Sequence, residues 1–560
     1  MKKIFIAAVL LTLGISSCDD FIKEESRADV LMDEVYRTSS GFESLVNASY
    51  SGLRPIYSAP WMFCSGTDMY VDGRNASPAV GLTTYKDLEA GEVAVETFYQ
   101  RCYAAIQLSN TGLHYADITE QTANTPLRKG ELKFLRAYVY FMLVQSFGGV
   151  PIVTDIYIDG EQKAFDRNTE EDVYEFIVSE MNEALALVPE TPSFGRVGKR
   201  AIRHYLAKIH LTRGYTDFAA ADDFSKAATY ADEAINGYNL SSVSFQDLFY
   251  PGKEKNNEIL FSLQFAASSM PTTASGGSIQ ASYFGPYHGG PNTLAPWKSY
   301  NLIPTSYVYA LFNEHDKRWE GTFMNVLYAS YYDYYNKPDK SAVKVARYFP
   351  QSWEVDDVEA WKAADPTNRN AAVITPYTIT SEEGEPLVNI WEQPAQYLDN
   401  STPSVRKFDD PKSVIATGPP GDVSTRDFYL ARLGETYLIA AEAHLQLDDK
   451  ATAMSRLNAV RARAEKTVGS LQLADADTVT VDLILDDRAR ELVGEFHRWF
   501  DLKRTGKLVE RVLEYNKDVR GTPNAFTGVD GNPKILRPIP QKALELNSNK
   551  DFEQNPGYAQ

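Results

Sequence analysis

The sequence predicts a mainly α-helical protein in which helical segments flank an irregular, loop-rich section, and three observations predict it. Apolar residues recur with helical spacing from about residue 41 to 237 and again from 425 to 507. Between them, from about 240 to 422, the chain becomes irregular and rich in Pro, Gly and Tyr. Two segments, one on each side of that interruption, repeat a single plan of helix, turn and helix. The reading is one domain over residues 18–560, with a C-terminal segment over 508–560.

The first element is a leader. Lys2 and Lys3 give a positive start, Ile4 to Leu13 is almost wholly apolar, and Gly14, Ser16 and Ser17 are small, which is the layout of a secretory signal over residues 1–17. The apolar run is too short for a bilayer, which takes about 20 residues. Cys18 follows at once, so the stretch resembles a bacterial lipobox, in which the cysteine is acylated and becomes the first residue of the mature chain. Each buried methylene adds about 0.8 kcal/mol, so two or three acyl chains hold a protein stably on a membrane. Asp19 and Asp20 behind that cysteine go, in lipoproteins of this kind, with export to the outer face of the outer membrane.

The best helix lies in "LRKGELKFLRAYVYFMLVQSFGGVPIV". Leu132, Leu135, Tyr138, Val139 and Met142 follow three-four spacing, while Phe134, Phe141 and Leu143 make the other side apolar as well. A helix apolar all round is buried. Gly148 and Gly149 end it and Pro151 prevents resumption. "AIRHYLAKIHLTRGYTDFAAADDFSKAATYADEAI" predicts a hairpin turning at Gly214, with Ala227, Ala228, Ala231 and Ala234 allowing close approach. "FYLARLGETYLIAAEAHLQLDDKATAMSRLNAVRARA" repeats the plan around a turn near Asp448, with Ala440, Ala441 and Ala443 in the first helix. Pairs of this length have tetratricopeptide character.

Composition fits a folded, exported chain. A hydrophobic fraction of 44% is ample for a large core. The net charge of −19 becomes about −21 without Lys2 and Lys3, and no Lys/Arg run appears, which argues against nucleic acid as a partner. Cys64 and Cys102 have no partner-spacing signature, so one disulfide and two buried thiols both stand open. The chain has no G-x-S-x-G elbow, H-E-x-x-H, zinc-spaced cysteine pair, P-loop or G-x-G-x-x-G, so no catalytic residue, cofactor or metal site is assigned.

In "LDDRARELVGEFHRWFDLKRTG", Asp487, Glu491 and Glu495 recur every four residues, with Arg490, Arg498 and Arg504 as opposite charges. Paired carboxylates can serve acid/base chemistry, but neighbouring arginines lower their pKa and oppose a protonated acid. The reading is a salt-linked helix face, with each exposed pair giving about 0.2–0.5 kcal/mol.

"GELKFLRAYVYFMLVQSFGGVPIVTD", "ARLGETYLIAAEAHLQL", "LNAVRARA", "ILDDRARELVGEFHRWFDLKRTGKL", "LRPIPQKALELNSN" and "QNPGY", in that order behind the lipobox and "DDF", resemble successive motifs of the SusD/RagB family. The resemblance spans nearly the whole chain and is weakest from about 264 to 422. It implies four tetratricopeptide-like helix pairs supporting an irregular ligand-binding part, with the charged motif structural. It also implies an outer-membrane surface lipoprotein that binds nutrient over a SusC-like, TonB-dependent transporter. Glycan is the expected ligand; a peptide, as on the RagB side of the family, is the alternative, and a carbohydrate-active enzyme is the third possibility.

A glycan site needs flat aromatics for stacking on apolar C–H faces, and planar polar groups for hydroxyls. Two irregular stretches carry that mixture. "PWMFCSGTDMYVDGRNAS" offers Trp61, Asp68, Tyr70, Arg74 and Asn75; "SYFGPYHGGPNTLAPWKSYN" offers Tyr283, Tyr287, His288 and Trp297 on a Gly/Pro-rich loop of the kind that runs over surfaces. In the family, loops from these places in the chain meet to form the ligand face. "LYASYYDYYNKPDK", with Tyr331, Tyr332, Tyr334 and Tyr335, is a weaker candidate, because its alternation also fits a hairpin strand stacking its own tyrosines.

Overall fold

A computed structural model describes residues 27–73, 76–157, 163–266, 277–285, 299, 301–341, 343–374, 378–380, 386–389, 402–412 and 424–559. Among its helices are α1 (Ser39–Ser51), α2 (Val93–Ile118), α3 (Thr125–Phe147), α4 (Glu170–Leu187), α5 (Lys199–Arg213), α6 (Asp223–Ile235), α7 (Leu433–Gln446), α8 (Lys450–Ala464), α9 (Val481–Glu491), α10 (Arg498–Arg504) and α11 (Leu508–Tyr515). The first eight of these form four pairs, α1 on α2, α3 on α4, α5 on α6 and α7 on α8. The pairs are joined in series through α2 on α3, α4 on α5 and α6 on α7. The last junction crosses the irregular section, so residues far apart in sequence complete one helical stack.

Local chemistry sets the ends of these helices. Thr169 and Asp172 form a reciprocal capping box at the start of α4, which satisfies two otherwise orphaned donors. α3 stops at Gly148, whose φ of +68° is a conformation that side chains with a Cβ rarely adopt. From Leu132 to Phe147 only Lys133 on α3 escapes burial, as expected of a helix apolar on every side. The alanines of α6 and α7 are buried against each other's helices in a core shared by α5, α6, α7 and α8. Cys64 and Cys102 are both buried free thiols, which settles the choice that spacing left open. Burial pushes both thiols up.

The irregular section is a closed excursion. The chain leaves the scaffold on strand Ile259–Leu263 and returns on Phe428–Arg432; these strands pair antiparallel, with Ile259 opposite Arg432 and Leu263 opposite Phe428. Arg432 then passes directly into α7. Smaller ladders pair Tyr70–Asp72 with Leu302–Pro304, and Val326–Tyr328 with Val345–Tyr348, which in turn pairs with Ala372–Val373.

A buried ion network fastens the excursion to the helices. Arg432 lies between Glu258 (3.0 Å), Glu491 (2.7 Å) and Glu495 (2.6 Å). Arg463 of α8 also joins Glu258 and Glu491, Arg318 reaches Glu491 at 3.3 Å, and Lys407 pairs with Glu495. Arg318 and Lys407 belong to the excursion, and Glu258 stands at its entrance. Burial alone would push the Glu491 carboxyl up, yet the guanidinium groups of Arg463, Arg432 and Arg318 hold it well below the usual carboxylate range. Burial draws Lys407 down to about 8, against the pull of Glu495.

This corrects the expectation of an exposed salt-linked helix face. Asp487, Glu491 and Glu495 are 0–2% exposed. α9 ends at Glu491, so Glu495 lies beyond it. Arg490 does pair with Asp487, at 2.9 Å, but Arg498 and Arg504 pair elsewhere, with Asp68 and with Glu442 and Asp501. Removing one member of such a cluster leaves buried charge uncompensated, which costs about 3–5 kcal/mol, whereas an exposed pair contributes about 0–1 kcal/mol. Arg432→Met is therefore expected to lower unfolding stability by about 3–5 kcal/mol in urea titration. Arg37→Met, which breaks the exposed Arg37–Asp33 pair, is expected to change it by less than about 1 kcal/mol.

Candidate functional site

The two stretches expected to carry ligand contacts meet through residues of both. Trp61 opens the short helix Trp61–Cys64 behind Pro60. Its ring stands edge-on to that of Tyr283, centroids 5.2 Å apart and planes at 74°, and both rings are half-buried against the main core. The Tyr283 hydroxyl donates to the Ser58 carbonyl at 3.0 Å. From the scaffold side, Arg101 of α2 donates to the Pro55 carbonyl at 2.8 Å and also bonds the Ser58 hydroxyl. The segment before Trp61 is thus held between a helix and the irregular section, and the indole inherits that fixed position.

Trp61 lines an open pocket of about 270 Å³ together with Ser58, Glu92, Val93, Thr97 and Arg101. Glu92 caps α2 through Ala94, and Val93 beside it is 71% exposed. The pocket offers an aromatic wall, an exposed aliphatic patch, a carboxylate and a guanidinium. Sequence reasoning missed Glu92, Thr97 and Arg101, because on an amphipathic helix nothing separates polar residues facing a pocket from those facing bulk water.

Asp68 and Tyr70 require correction. Asp68 is fully buried, gripped by Arg498 at 2.7 and 2.6 Å and by Arg511 at 3.1 Å. Burial raises its carboxyl, but Arg498 and Arg511 outweigh it and hold the group ionised. Tyr70 is 2% exposed, and its hydroxyl accepts from the Gly494 amide at 2.7 Å. Neither side chain reaches a ligand at the surface; both pin this stretch to the charged motif. Gly494 permits the approach, since a Cβ there would sit 2.5 Å from the Phe408 ring at a φ of +76°. Its carbonyl also accepts from Gln280 at 2.8 Å.

Cys18, Arg74, Asn75, Tyr287, His288 and Trp297 lie outside the described residues. Residues on both sides of Arg74 and Asn75 meet the irregular section: Gly73 donates to the Asn301 carbonyl at 2.8 Å, and the Asn301 side chain donates to the Ala76 carbonyl at 3.0 Å. Asp72, next along, is half-buried, and its Oδ1 makes no hydrogen bond among the described residues. Burial first, and then the nearby Asp518 charge, push its carboxyl up to about 6.

The tyrosine cluster is not a hairpin strand. Tyr331 and Tyr332 are buried ahead of a short helix, Asp333–Asn336. The hydroxyls of Tyr331 and Tyr335 both donate to Asp409 Oδ2, at 2.5 and 3.0 Å, so two of the four rings are occupied in holding the excursion together. Among the described residues, no group of three or more His, Cys, Asp or Glu side chains is placed to hold a metal ion, and no helix is long and apolar enough to cross a membrane.

Comparison with known proteins places this architecture. The SusD family model matches residues 220–558, and a model described as starch-binding associating with outer membrane matches residues 20–211. SusD-like protein P2 of Formosa agariphila is 26% identical over 582 residues, covering 100% of both chains. A SusD homolog from Bacteroides thetaiotaomicron superposes with a TM-score of 0.71 at 19% identity, covering 96% of this chain and 100% of that one. A laminarin-binding SusD-like protein superposes at 0.67 with 21% identity, covering 93% and 100%. With a family model matching more than half its length and the helix-pair scaffold in place, the chain belongs to the SusD family.

Proposed function

We propose that this protein is a lipid-anchored glycan-binding protein of the outer membrane that captures oligosaccharide without turning it over and passes it to a SusC-like, TonB-dependent transporter. The observation that carries the reading is the Trp61–Tyr283 pair, which joins two loops more than 200 positions apart beside a pocket with fixed polar groups. Sugar rings stack on aromatic faces through their C–H groups, and a rigid aromatic loses little entropy on binding. Arg101, Glu92 and Thr97 supply the hydroxyl partners. Arg74, Asn75, Tyr287, His288 and Trp297 complete the face in this proposal. The descriptions of the matched family model and of the laminarin-binding neighbour support glycan over peptide.

Binding is tested by a glycan array followed by calorimetry on the best oligosaccharide. A few central aromatics carry most of such an interface. Trp61→Ala and Tyr283→Phe separate stacking from positioning: the first is expected to weaken binding by more than about 1 kcal/mol. Tyr283→Phe, which keeps the ring but removes the hydroxyl that bonds the Ser58 carbonyl, is expected to cost less. Unchanged affinity in Trp61→Ala would exclude this face, and release of shorter glycans on prolonged incubation would overturn the reading as a binder.

Anchoring is tested separately. Cys18→Ala is expected to move the protein from the membrane fraction to the soluble fraction. Mass spectrometry of the wild type is expected to find an acylated N-terminal Cys18; an unmodified N-terminus contradicts it.

A lipid tether holds the protein near a transporter at high effective concentration, and a stable lid would bury well over about 1,000 Å². Mild-detergent extraction with a tag after Gln560 is expected to co-purify a large β-barrel. Recovery of the mature chain alone, across several detergents and with glycan present, argues for a free-standing binder.

A further inference from the structure

A second pocket, of about 380 Å³, opens between the loop joining α4 to α5 and the strand that begins the excursion. Its volume falls within the range of about 300–1,000 Å³ typical of small-ligand sites. Among the described residues, three Phe, Tyr or Trp side chains are more than a third exposed: Tyr157 (39%), Phe194 (53%) and Tyr238 (38%). Two of the three, Phe194 and Tyr238, line this pocket.

The charges around it are unevenly matched. Glu190 is paired with Arg203 at 2.5 Å, and Glu254 with Arg426 at 2.7 Å. Arg196 is taken up by Glu131 and Glu43. Arg200 and Lys255 remain, and among the described residues neither makes an ion pair. Arg200 lies over the Tyr238 ring and gives one donor to the Asn236 carbonyl, while its Nη1 is buried without an acceptor. Lys255 lies 4.5 Å over the Phe194 ring. Behind Gly195, the Gln264 amide nitrogen is a further buried donor without an acceptor. Gly198, at the entrance to α5, cannot cap that helix with a side chain, so the positive end of its dipole adds to the excess. On a chain of net charge −19, this is a local surplus of donors and positive charge set beside exposed aromatic rings.

We infer that this pocket is a second glycan subsite selective for an acidic sugar, its carboxylate or sulfate taken by Arg200 and Lys255 and its ring resting on Phe194 and Tyr238. The ligand class rests on the glycan reading above, but the site does not depend on Trp61. A guanidinium fork suits either anion bidentately, and charge-assisted bonds in a half-enclosed pocket are stronger than those between neutral groups.

Calorimetry at low salt with the full chain tests it, using three probes: an oligogalacturonate, a sulfated galactan oligosaccharide and neutral maltoheptaose. At least one acidic probe is expected to bind at least ten-fold more weakly to Arg200→Gln/Lys255→Gln than to wild type, with affinity falling as salt rises. The same ten-fold loss is expected when Arg200→Gln/Lys255→Gln is made in a Trp61→Ala background, because the two sites are separate. Any binding of maltoheptaose is expected to be unaffected by the double variant, so failure here and failure of the Trp61 face are told apart. Should the double variant fold poorly, Lys255→Gln alters only an exposed side chain and is expected to cost at least three-fold. The inference is overturned if neither acidic probe binds, if binding is insensitive to these substitutions, or if it is lost with Trp61 instead.

Discussion

The guanidinium of Arg432, set among Glu258, Glu491 and Glu495, is the interaction on which the rest of the structure depends. It sits where three parts of the chain converge: the strand leaving the scaffold, the strand returning to it, and the charged motif that spans the end of α9. Charges so deep carry a desolvation cost that is offset only when each has several partners in good geometry. Here the condition is met by sharing: Arg463 bonds two of the three glutamates that Arg432 does, and Arg318 and Lys407 bring the irregular section to Glu491 and Glu495. Apolar packing alone would tolerate small slides of one layer over another. A cluster of shared ion pairs fixes register, because any shift strands a charge.

The proposed ligand face inherits this rigidity at one remove. Gly494 lies between the network residue Glu491 and Phe496 of the main core, donating to Tyr70 and accepting from Gln280. Tyr70 belongs to the stretch that follows Trp61, and Gln280 begins the turn that ends in Tyr283. Asp68, held by Arg498 and Arg511, fastens the same stretch from another side. The aromatic pair therefore stands on two loops that are each tied to the charged motif. If these rings stack on a flexible glycan as proposed, such preorganisation favours binding, since less ordering entropy is lost.

The helical part of this architecture was legible because its signals are local. Three-four spacing, the glycine stop at Gly148 and the alanine faces of α6 and α7 need no partner to be read. That the loops carrying Trp61 and Tyr283 approach each other is an expectation from chain order in related proteins, and no residue pattern here marks the two rings as partners. The misreadings share one cause. Asp68 and Tyr70 have the residue types of a sugar site, but their exposure is decided by Arg498 and Gly494, more than 420 positions away, and no local pattern reports that. The carboxylates of the charged motif looked like surface pairs because their strongest partners, Arg432 and Arg463, lie in other segments. The loop carrying Phe194 was passed over even though its "TPSFGRVG" has the Gly/Pro character used to favour the other loops.

The central claim, that the buried network makes the helical scaffold and the irregular section one cooperative unit, is tested most directly by native-state hydrogen exchange across a range of denaturant. Three amides report on it: Leu433, bonded to the Glu258 carbonyl; Met324, bonded to Ser404; and Arg406, bonded to Thr322. If the network unites the parts, all three exchange only through global opening, with free energies converging on that of complete unfolding. If Met324 and Arg406 exchange through a separate, lower-energy opening while Leu433 stays protected, the irregular section unfolds independently and the account is contradicted.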